Sequence, residues 1–205
     1  MCSRGACTLA PLSEQSGISG TAQPEDVFFQ RGVAFTGIQS RLLDSQGAAV
    51  DASLAPARTP DGSVTLSALD YKMQEDARRL TWSGQQPGAW ELRAKQPRDF
   101  DRQANGDLLL TATLRIDALP SQGHVVAYAA SAGGRSELQI GSWLQGLPQQ
   151  QWMTVAIPLK CFRRGADLKR LEVPLGIRSA PGLQLSIHQV QLGAAAEHLL
   201  DCPAS

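Results

Sequence analysis

The sequence predicts an all-β fold, an antiparallel jelly-roll β-sandwich with about nine or ten strands in two packed sheets. Segments of alternating apolar and polar residues recur roughly every ten to twenty residues, whereas helical periodicity is nearly absent. Turn-forming residues are abundant, with 19 Gly and 12 Pro among 205 residues. Sandwiches of this length commonly form one domain, which buries enough apolar surface to fold without metal or disulfide.

Charge and hydropathy exclude several classes of function. The 19 Lys and Arg residues balance 19 Asp and Glu residues, so composition gives no reason to expect binding to nucleic acid or an anionic membrane. No apolar run approaches the ~18 residues of a membrane-spanning helix. Residues 1–17 also lack the apolar segment of a signal peptide.

The N-terminal segment differs in composition from the rest of the chain. Ser13 to Asp26, SEQSGISGTAQPED, is a polar stretch rich in Ser, Gly, Gln and Pro, which is typical of a linker. We therefore predict that residues 1–26 are a linker or the tail of a preceding domain. Residues 27–205 are predicted to form the sandwich domain.

Four strands are predicted in the first half of the chain. Trp82 shares its alternation phase with Leu80, and Trp90 shares its phase with Leu92, so both tryptophans are expected on an apolar face. The turn Ser83–Gly88 between them predicts a hairpin with a cross-strand aromatic pair. The four segments are Ala34–Leu43, Gly62–Ala68, Ala77–Trp82 and Trp90–Ala94, and the residues expected on the opposite, solvated face are Arg79, Thr81, Glu91 and Arg93.

The second half has clearer alternation and one break in phase. In Leu183–Leu192, LQLSIHQVQL, apolar residues change from odd to even positions, which predicts a β-bulge near His188-Gln189. Two segments, Asp167–Val173 and Ala194–Leu200, are predicted as the only short helices. Three further strands are GDLLLTATLRID with Leu108, Leu110, Ala112, Leu114 and Ile116 inward, HVVAYAA, and WMTVAIPLK with Met153, Val155, Ile157 and Leu159 inward.

The four cysteines lack the spacing of a zinc site, because no CxxC pair and no Cys/His quartet occurs. An even number permits two disulfides in three pairings. The pairing favoured by sequence position is Cys2 with Cys7 and Cys161 with Cys202, the second joining the C-terminal tail to the body of the domain. Four free thiols are the alternative.

No group of residues predicts catalysis. Glycosidases hold two carboxyl groups about 5–9 Å apart across a bond. Glu75 and Asp76 are adjacent, and neighbouring side chains of a strand point to opposite faces. Gly133-Gly134 is not followed by the Lys-Ser/Thr of a phosphate loop, and no nucleophile elbow occurs. We therefore predict no catalytic residue and no cofactor.

Three short stretches are the most distinctive, and they occur in this order: QEDA at Gln74–Ala77, NGDL at Asn105–Leu108 and LKCF at Leu159–Phe162. Together with the segments around them, from Val27 to Leu192, they resemble the C-terminal galactose-binding-like domain of bacterial family 3 glycoside hydrolases of the ExoP type. The resemblance departs at YAASAGGRSELQI, which lacks the cysteines that related domains often carry there, so a local clip or site is not expected in that hairpin.

The resemblance implies a role within a larger enzyme. Its catalytic residues would lie in other domains, and the parent would be an exo-acting β-glucosidase or β-glucan hydrolase. Its partners would then be the catalytic domains, with a β-glucan oligosaccharide as a second candidate. Members are usually exported, so the resemblance implies a periplasmic or extracellular location and agrees with the disulfide interpretation. Sandwich modules of this shape often hold calcium, which would require six to eight oxygen ligands; the sequence suggests no ligands for it.

Three hypotheses about function follow. The first is an accessory domain that packs on the catalytic domains and shapes the rim of the active site. The second is a carbohydrate-binding module for β-glucan or cello-oligosaccharide, with aromatic rings as platforms. The third, an independent enzyme, is disfavoured because no catalytic group is evident. The residues predicted to contact a ligand or another domain are Tyr71, Gln74, Glu75, Asp76, Arg79, Arg115, Trp143 and Trp152.

Overall fold

The computed structural model describes residues 26–202, which contain fifteen strands and two short α-helices. Short 3-10 helices lie at Leu159–Phe162 and Leu168–Arg170. The helices are α1 (Asp101–Asn105) and α2 (Gly141–Gln145). The strands are β1 (Val27–Gln30), β2 (Val33–Ala34), β3 (Ile38–Leu43), β4 (Ala49–Asp51), β5 (Ala57–Arg58), β6 (Val64–Leu69), β7 (Ala77–Trp82), β8 (Gly88–Ala94), β9 (Leu109–Ala118), β10 (Val125–Ser131), β11 (Gly134–Gln139), β12 (Trp152–Pro158), β13 (Leu171–Ser179), β14 (Gln184–Gly193) and β15 (His198–Leu199).

The strands form two sheets, as predicted for a sandwich. Within residues 26–202, the large sheet has nine strands in the order β15-β12-β9-β14-β7-β6-β5, with β1 joining β14 to β2. The small sheet has six strands in the order β11-β10-β13-β8-β3-β4. The β12–β15 pair is parallel and the other pairings are antiparallel. The predicted all-β class is confirmed, and no helix in this part of the chain is long and apolar enough to cross a membrane.

The core lies between the sheets and is formed by the alternating positions that the sequence indicated. In β9, Leu110, Leu114 and Ile116 are buried, whereas Thr113 and Arg115 on the other face are partly exposed. In β12 the inward residues Met153, Val155 and Ile157 are buried in the same way. Leu159 is also buried, but it belongs to a 3-10 helix and not to the strand.

The predicted β-bulge is present in β14. Ile187 pairs with Leu114 and Gln189 pairs with Thr113, so His188 has no partner in the β9 register. The extra residue restores the alternation, and Ile187 and Val190 both face the core. The bulge also leaves the His188 ring outside the core, on the outer side of the large sheet.

The predicted Trp82–Trp90 hairpin is wrong. β7 pairs with β6 and β14 in the large sheet, whereas β8 pairs with β3 and β13 in the small sheet. The turn therefore crosses between sheets. Both tryptophans are buried as predicted; Trp82 Nε1 donates to the Gly88 carbonyl at 2.9 Å and Trp90 Nε1 donates to Ser40 Oγ at 2.9 Å. Alternation identifies the core-facing side of a strand but not its neighbour, which explains the error.

The predicted helix positions are correct only in part. In Asp167–Val173 only Leu168–Arg170 is helical, and β13 follows at once. Ala194–Leu200 contains β15 and no helix. The two α-helices present have five residues each, which is too short to show a helical period in the sequence.

One predicted disulfide is confirmed. Cys161 and Cys202 are bonded, with their Cα atoms 5.2 Å apart. The bond joins the C-terminal segment after β15 to the 3-10 helix that follows β12. Cys2 and Cys7 lie outside the described residues, as do residues 1–25 of the predicted linker, so that pairing and that boundary stay predictions.

Candidate functional site

Five of the eight predicted contact residues come together on the outer face of the large sheet. Trp152 on β12 pairs with Arg115 on β9, and Arg115 pairs with Ser186 on β14. Ser186 pairs in turn with Arg79 on β7. These four residues form one row across four strands, because side chains in register lie side by side on a sheet face. We call this surface the polar–aromatic face and define it by Tyr71, Asp76, Arg79, Arg115, Asp117, Trp152, Ser186 and His188.

The Asp117 carboxylate organises the polar part of this face. Arg115 Nε donates to Asp117 Oδ1 at 2.6 Å, and the Ser186 hydroxyl donates to Asp117 Oδ2. Arg79 Nε lies 3.4 Å from Asp117 Oδ2, an ion pair without hydrogen-bond geometry. The Asp117 side chain is only 6% exposed, whereas those of the two arginines are 21% and 38% exposed. One buried carboxylate therefore holds two guanidinium groups that remain accessible to a partner.

The aromatic part of the face is a cluster of three rings. The Tyr71 ring centroid lies 4.4 Å from that of Trp152 and 4.6 Å from that of His188. The Arg115 guanidinium lies 5.4 Å from the Trp152 ring centroid, a cation–π contact. Because β9 separates β12 from β14, Tyr71 bridges two strands that are not neighbours. The cluster gives the face a half-buried aromatic centre.

Asp76 fixes the loop that brings Tyr71 over the sheet. Its carboxylate accepts backbone N–H groups from Tyr71 at 2.7 Å, Lys72 at 3.2 Å and Met73 at 3.1 Å. His188 Nδ1 lies 2.7 Å from the Asp76 carbonyl oxygen and donates to it. Burial alone would raise the pKa of the Asp76 carboxyl, but the three N–H donors and the nearby His188 outweigh it and lower the pKa.

Replacing Asp76 with Asn is expected to destabilise the protein by about 1–2 kcal/mol at neutral pH, because the amide has one acceptor oxygen for the three donors. A lowered folded-state pKa adds stability above the unfolded-state value near 3.8, and this stability is lost as the pH falls through the folded-state value. The difference between variant and wild type should therefore shrink below about pH 4, as measured by urea unfolding. Glu75→Gln, an exposed change in the same loop, is the control. An equal difference at pH 7 and pH 3 would contradict this role for Asp76.

The remaining predicted loop residues point into solvent. Gln74 and Glu75 are exposed, and Glu75 adopts a left-handed backbone with φ 53°. The Glu75 N–H donates to Asp70 Oδ1 at 2.6 Å, which stabilises this turn. The Glu75 side chain thus lies in solvent, while the Asp76 carboxylate is occupied by its own loop.

Residues 39–192 match the family model Exop_C, described as galactose-binding domain-like. The chain belongs to the Exop_C family. The match covers most of the two-sheet core and every residue of the polar–aromatic face.

Two solved structures share this fold with substantial sequence identity. The extra C-terminal domain (X) of exo-1,3/1,4-beta-glucanase (ExoP) from a Pseudoalteromonas species has 25% identity and a TM-score of 0.72, over 87% of this chain and 99% of that one. The structure of the exo-1,3/1,4-beta-glucanase itself has 26% identity and a TM-score of 0.72, over 86% of this chain. This Exop_C domain covers 22% of that enzyme chain.

More distant matches show the fold alone. A family 30 carbohydrate binding module has a TM-score of 0.56 at 11% identity, over 88% of this chain and 90% of that one. The family 30 module of the cellulosomal cellulase Cel9D-Cel44B of Clostridium thermocellum has a TM-score of 0.51 at 11% identity, over 82% of this chain and 92% of that one. The curated protein sequences contain no match.

Trp143 does not join the polar–aromatic face of this Exop_C domain. Its side chain lies in α2 and packs, partly buried, against the core. Beside it is a cavity of about 40 Å³ lined by apolar residues, including Leu144 and Val155. Trp143 therefore lies apart from the polar–aromatic face, and its role in contacting a ligand or another domain stays a prediction.

The prediction that Glu91 lies on a solvated face is also wrong. Glu91 is only 2% exposed, although its side chain is on the outer side of the small sheet. Glu91 Oε2 accepts from the Tyr128 hydroxyl at 2.9 Å, and Oε1 is bound by Arg41. Burial and the Glu91 charge raise the pKa of the Tyr128 hydroxyl. Alternation alone could not show this burial, because Arg93 lies on the same face of β8 and is partly exposed.

Metal binding has no support in the described chain. Within residues 26–202, no group of three or more His, Cys, Asp or Glu side chains is placed to hold a metal ion. The calcium suggested by similar sandwich modules has no such cluster in this part of the domain.

Proposed function

We propose that this Exop_C domain is a non-catalytic accessory domain of an exo-acting β-glucanase and packs on the catalytic domains through the polar–aromatic face. The observation that carries the proposal is the pair of matches to ExoP. The chain covers nearly all of a domain described as extra and C-terminal, and 22% of the enzyme chain. Membership of glycoside hydrolase family 3 and a position at the rim of the active site belong to this proposal.

The composition of the polar–aromatic face supports docking. Trp, Tyr and Arg are the residues that most often dominate binding energy at protein interfaces. Here Trp152, Tyr71 and Arg115 are held in place by one another and by Asp117, so little side-chain freedom remains to be lost on association. Met73, 61% exposed in the adjacent loop, adds an apolar contact at the margin.

The disulfide supports an exported enzyme. Disulfides persist in oxidising compartments and are rare in the cytosol. The Cys161–Cys202 bond links elements separated by 41 residues. We therefore place the enzyme in the periplasm or outside the cell.

Replacing Trp152 or Arg115 with Ala is expected to weaken binding to the catalytic fragment of the parent enzyme about 30-fold each, as for interface residues worth about 2 kcal/mol. The measurement is isothermal titration of the 205-residue chain into that fragment. Arg178→Gln, on the opposite sheet, is the matched control and should bind as the wild type does. Equal affinities for all four proteins would rule out this face as the docking surface.

Carbohydrate binding is the second proposed function, with β-glucan or cello-oligosaccharide as the ligand. It is favoured by the fold shared with family 30 carbohydrate binding modules and by a groove on the small sheet. On the polar–aromatic face, Tyr71 and Trp152 are the rings on which a sugar could stack. These two rings already pack against each other, which leaves less of each ring face for a sugar. The groove offers a better site.

A further inference from the structure

The outer face of the small sheet contains an open groove of about 230 Å³. The β3–β4 turn and the segment before β8 form one wall, and β10, β11 and β13 form the other. Its floor is low at Ala89, whose small side chain faces outward. Its lining includes Asp44, Pro87, Ala89, Tyr128, Arg135 and Arg178.

A buried polar network supports the floor of the groove. A Cβ atom on Gly176 would lie 2.1 Å from the Tyr128 ring, so glycine is what allows the ring to lie flat across β13. The Tyr128 hydroxyl donates to Glu91, whose side chain is 3% exposed and also binds Arg41. A buried carboxylate is costly unless it is paired, and here it fixes the position of the ring.

The rim presents hydrogen-bond donors and acceptors side by side. The Arg135 guanidinium lies 4.4 Å from the Tyr128 ring centroid, above the floor. Arg178 Nη2 is 3.2 Å from Glu137 Oε2, and Arg135 Nη1 is 3.7 Å from Glu137 Oε1. The side chains of both arginines are 43% exposed, so several N–H groups remain open to a ligand.

The charges on this face favour a neutral ligand. Each of its four arginines has a carboxylate partner, and Asp44 and Asp51 add two further negative charges. An anionic ligand would therefore meet no excess of positive charge, whereas a ligand with many hydroxyl groups would find both donors and acceptors. The pairs are Arg41 with Glu91, Arg93 with Glu172, and Arg135 and Arg178 with Glu137.

We propose that this groove binds a neutral saccharide unit of a glycan. Vicinal hydroxyls bridge the guanidinium of Arg178 and the carboxylate of Glu137, and the C–H face of the sugar lies over Pro87 and Ala89. The proposal rests on carbohydrate binding, the second function above, and gives it a location. It is independent of docking, since the groove and the polar–aromatic face lie on opposite sheets.

The test is native affinity electrophoresis of the 205-residue chain through gels that contain a soluble neutral β-glucan or, separately, polygalacturonate. Arg178→Gln and Glu137→Gln are expected to weaken retardation by the neutral glucan at least tenfold. Trp152→Ala and Arg115→Ala, on the other sheet, are expected to leave it unchanged. The melting temperature of each variant is measured as well, because a variant that has lost glucan binding must still be folded for the result to count.

Three other outcomes would overturn the proposal in different ways. Retardation lost in Trp152→Ala but kept in the groove variants would place glycan binding on the polar–aromatic face. Retardation by polygalacturonate alone would exclude a neutral ligand. Unretarded migration of the wild type in both gels would exclude carbohydrate binding altogether, while docking to the catalytic fragment would be unaffected.

Discussion

Replacing Glu91 with Ala is expected to lower the free energy of unfolding by about 3–5 kcal/mol. The Glu91 carboxylate is buried between the Arg41 guanidinium and the Tyr128 hydroxyl. Its removal leaves a partly buried cation and a buried hydroxyl without their acceptor, in addition to a cavity beneath the groove. The effect is measured by denaturant unfolding of the full chain at pH 7.

Glu172→Ala is the matched control for this prediction. Glu172 also pairs with an arginine of the small sheet, but its side chain is 23% exposed and that of Arg93 is 37% exposed, against 3% for Glu91. A solvent-exposed pair of this kind contributes about 1 kcal/mol or less. Similar losses of unfolding free energy for Glu91→Ala and Glu172→Ala would show that burial does not distinguish the two pairs.

A double-mutant cycle of Tyr128→Phe and Glu91→Gln measures the coupling energy between the Tyr128 hydroxyl and the Glu91 carboxylate.

Loss of the Cys161–Cys202 disulfide in a double serine variant is expected to cost about 4 kcal/mol. The bond closes a loop of 41 residues, and the cross-link restricts the unfolded chain by that amount in the chain-entropy account. The melting temperature should fall by several degrees, which differential scanning calorimetry detects.

Wild type in reductant is the control for the disulfide prediction and should melt close to the double variant. A Cys2→Ser, Cys7→Ser variant in oxidising buffer separates the N-terminal cysteines from this effect. Unchanged melting of the Cys161→Ser, Cys202→Ser variant would mean that the C-terminal segment adds no stability through the cross-link.

Most strand faces of this domain could be predicted from the sequence, because burial on one side imposes a period of two. β9 and the bulge in β14 are examples, since each depends only on its own apolar residues. The sheet to which β7 or β8 belongs depends on partners distant in the chain, such as β14 and β3. The same alternation fits either arrangement, so the hairpin prediction failed.

The sequence identified several individual residues of the candidate site, but it could not predict that they lie together on one face. Tyr71, Arg115 and Trp152 were identified as polar or aromatic positions outside the core. Their convergence depends on the order β12-β9-β14-β7, which joins strands more than 30 residues apart and has no local signal. Asp117 was missed, although it lies on the same strand face as Arg115. Glu91 was misplaced because its burial depends on Tyr128 and Gly176, which lie on other strands.

The short parallel pairing at the chain's C-terminal end has a consequence for self-association. Without β15, β12 would be an edge strand with unpaired N–H and C=O groups, which can pair with strands of other molecules. β15 covers Val155 and Ala156, and Leu200 N–H donates to the Ala156 carbonyl at 2.9 Å. Two residues after Leu200, Cys202 attaches this segment to Cys161 through the disulfide. We therefore expect that reducing the disulfide would free β15 from the edge of β12 and make the domain more prone to associate through this sheet.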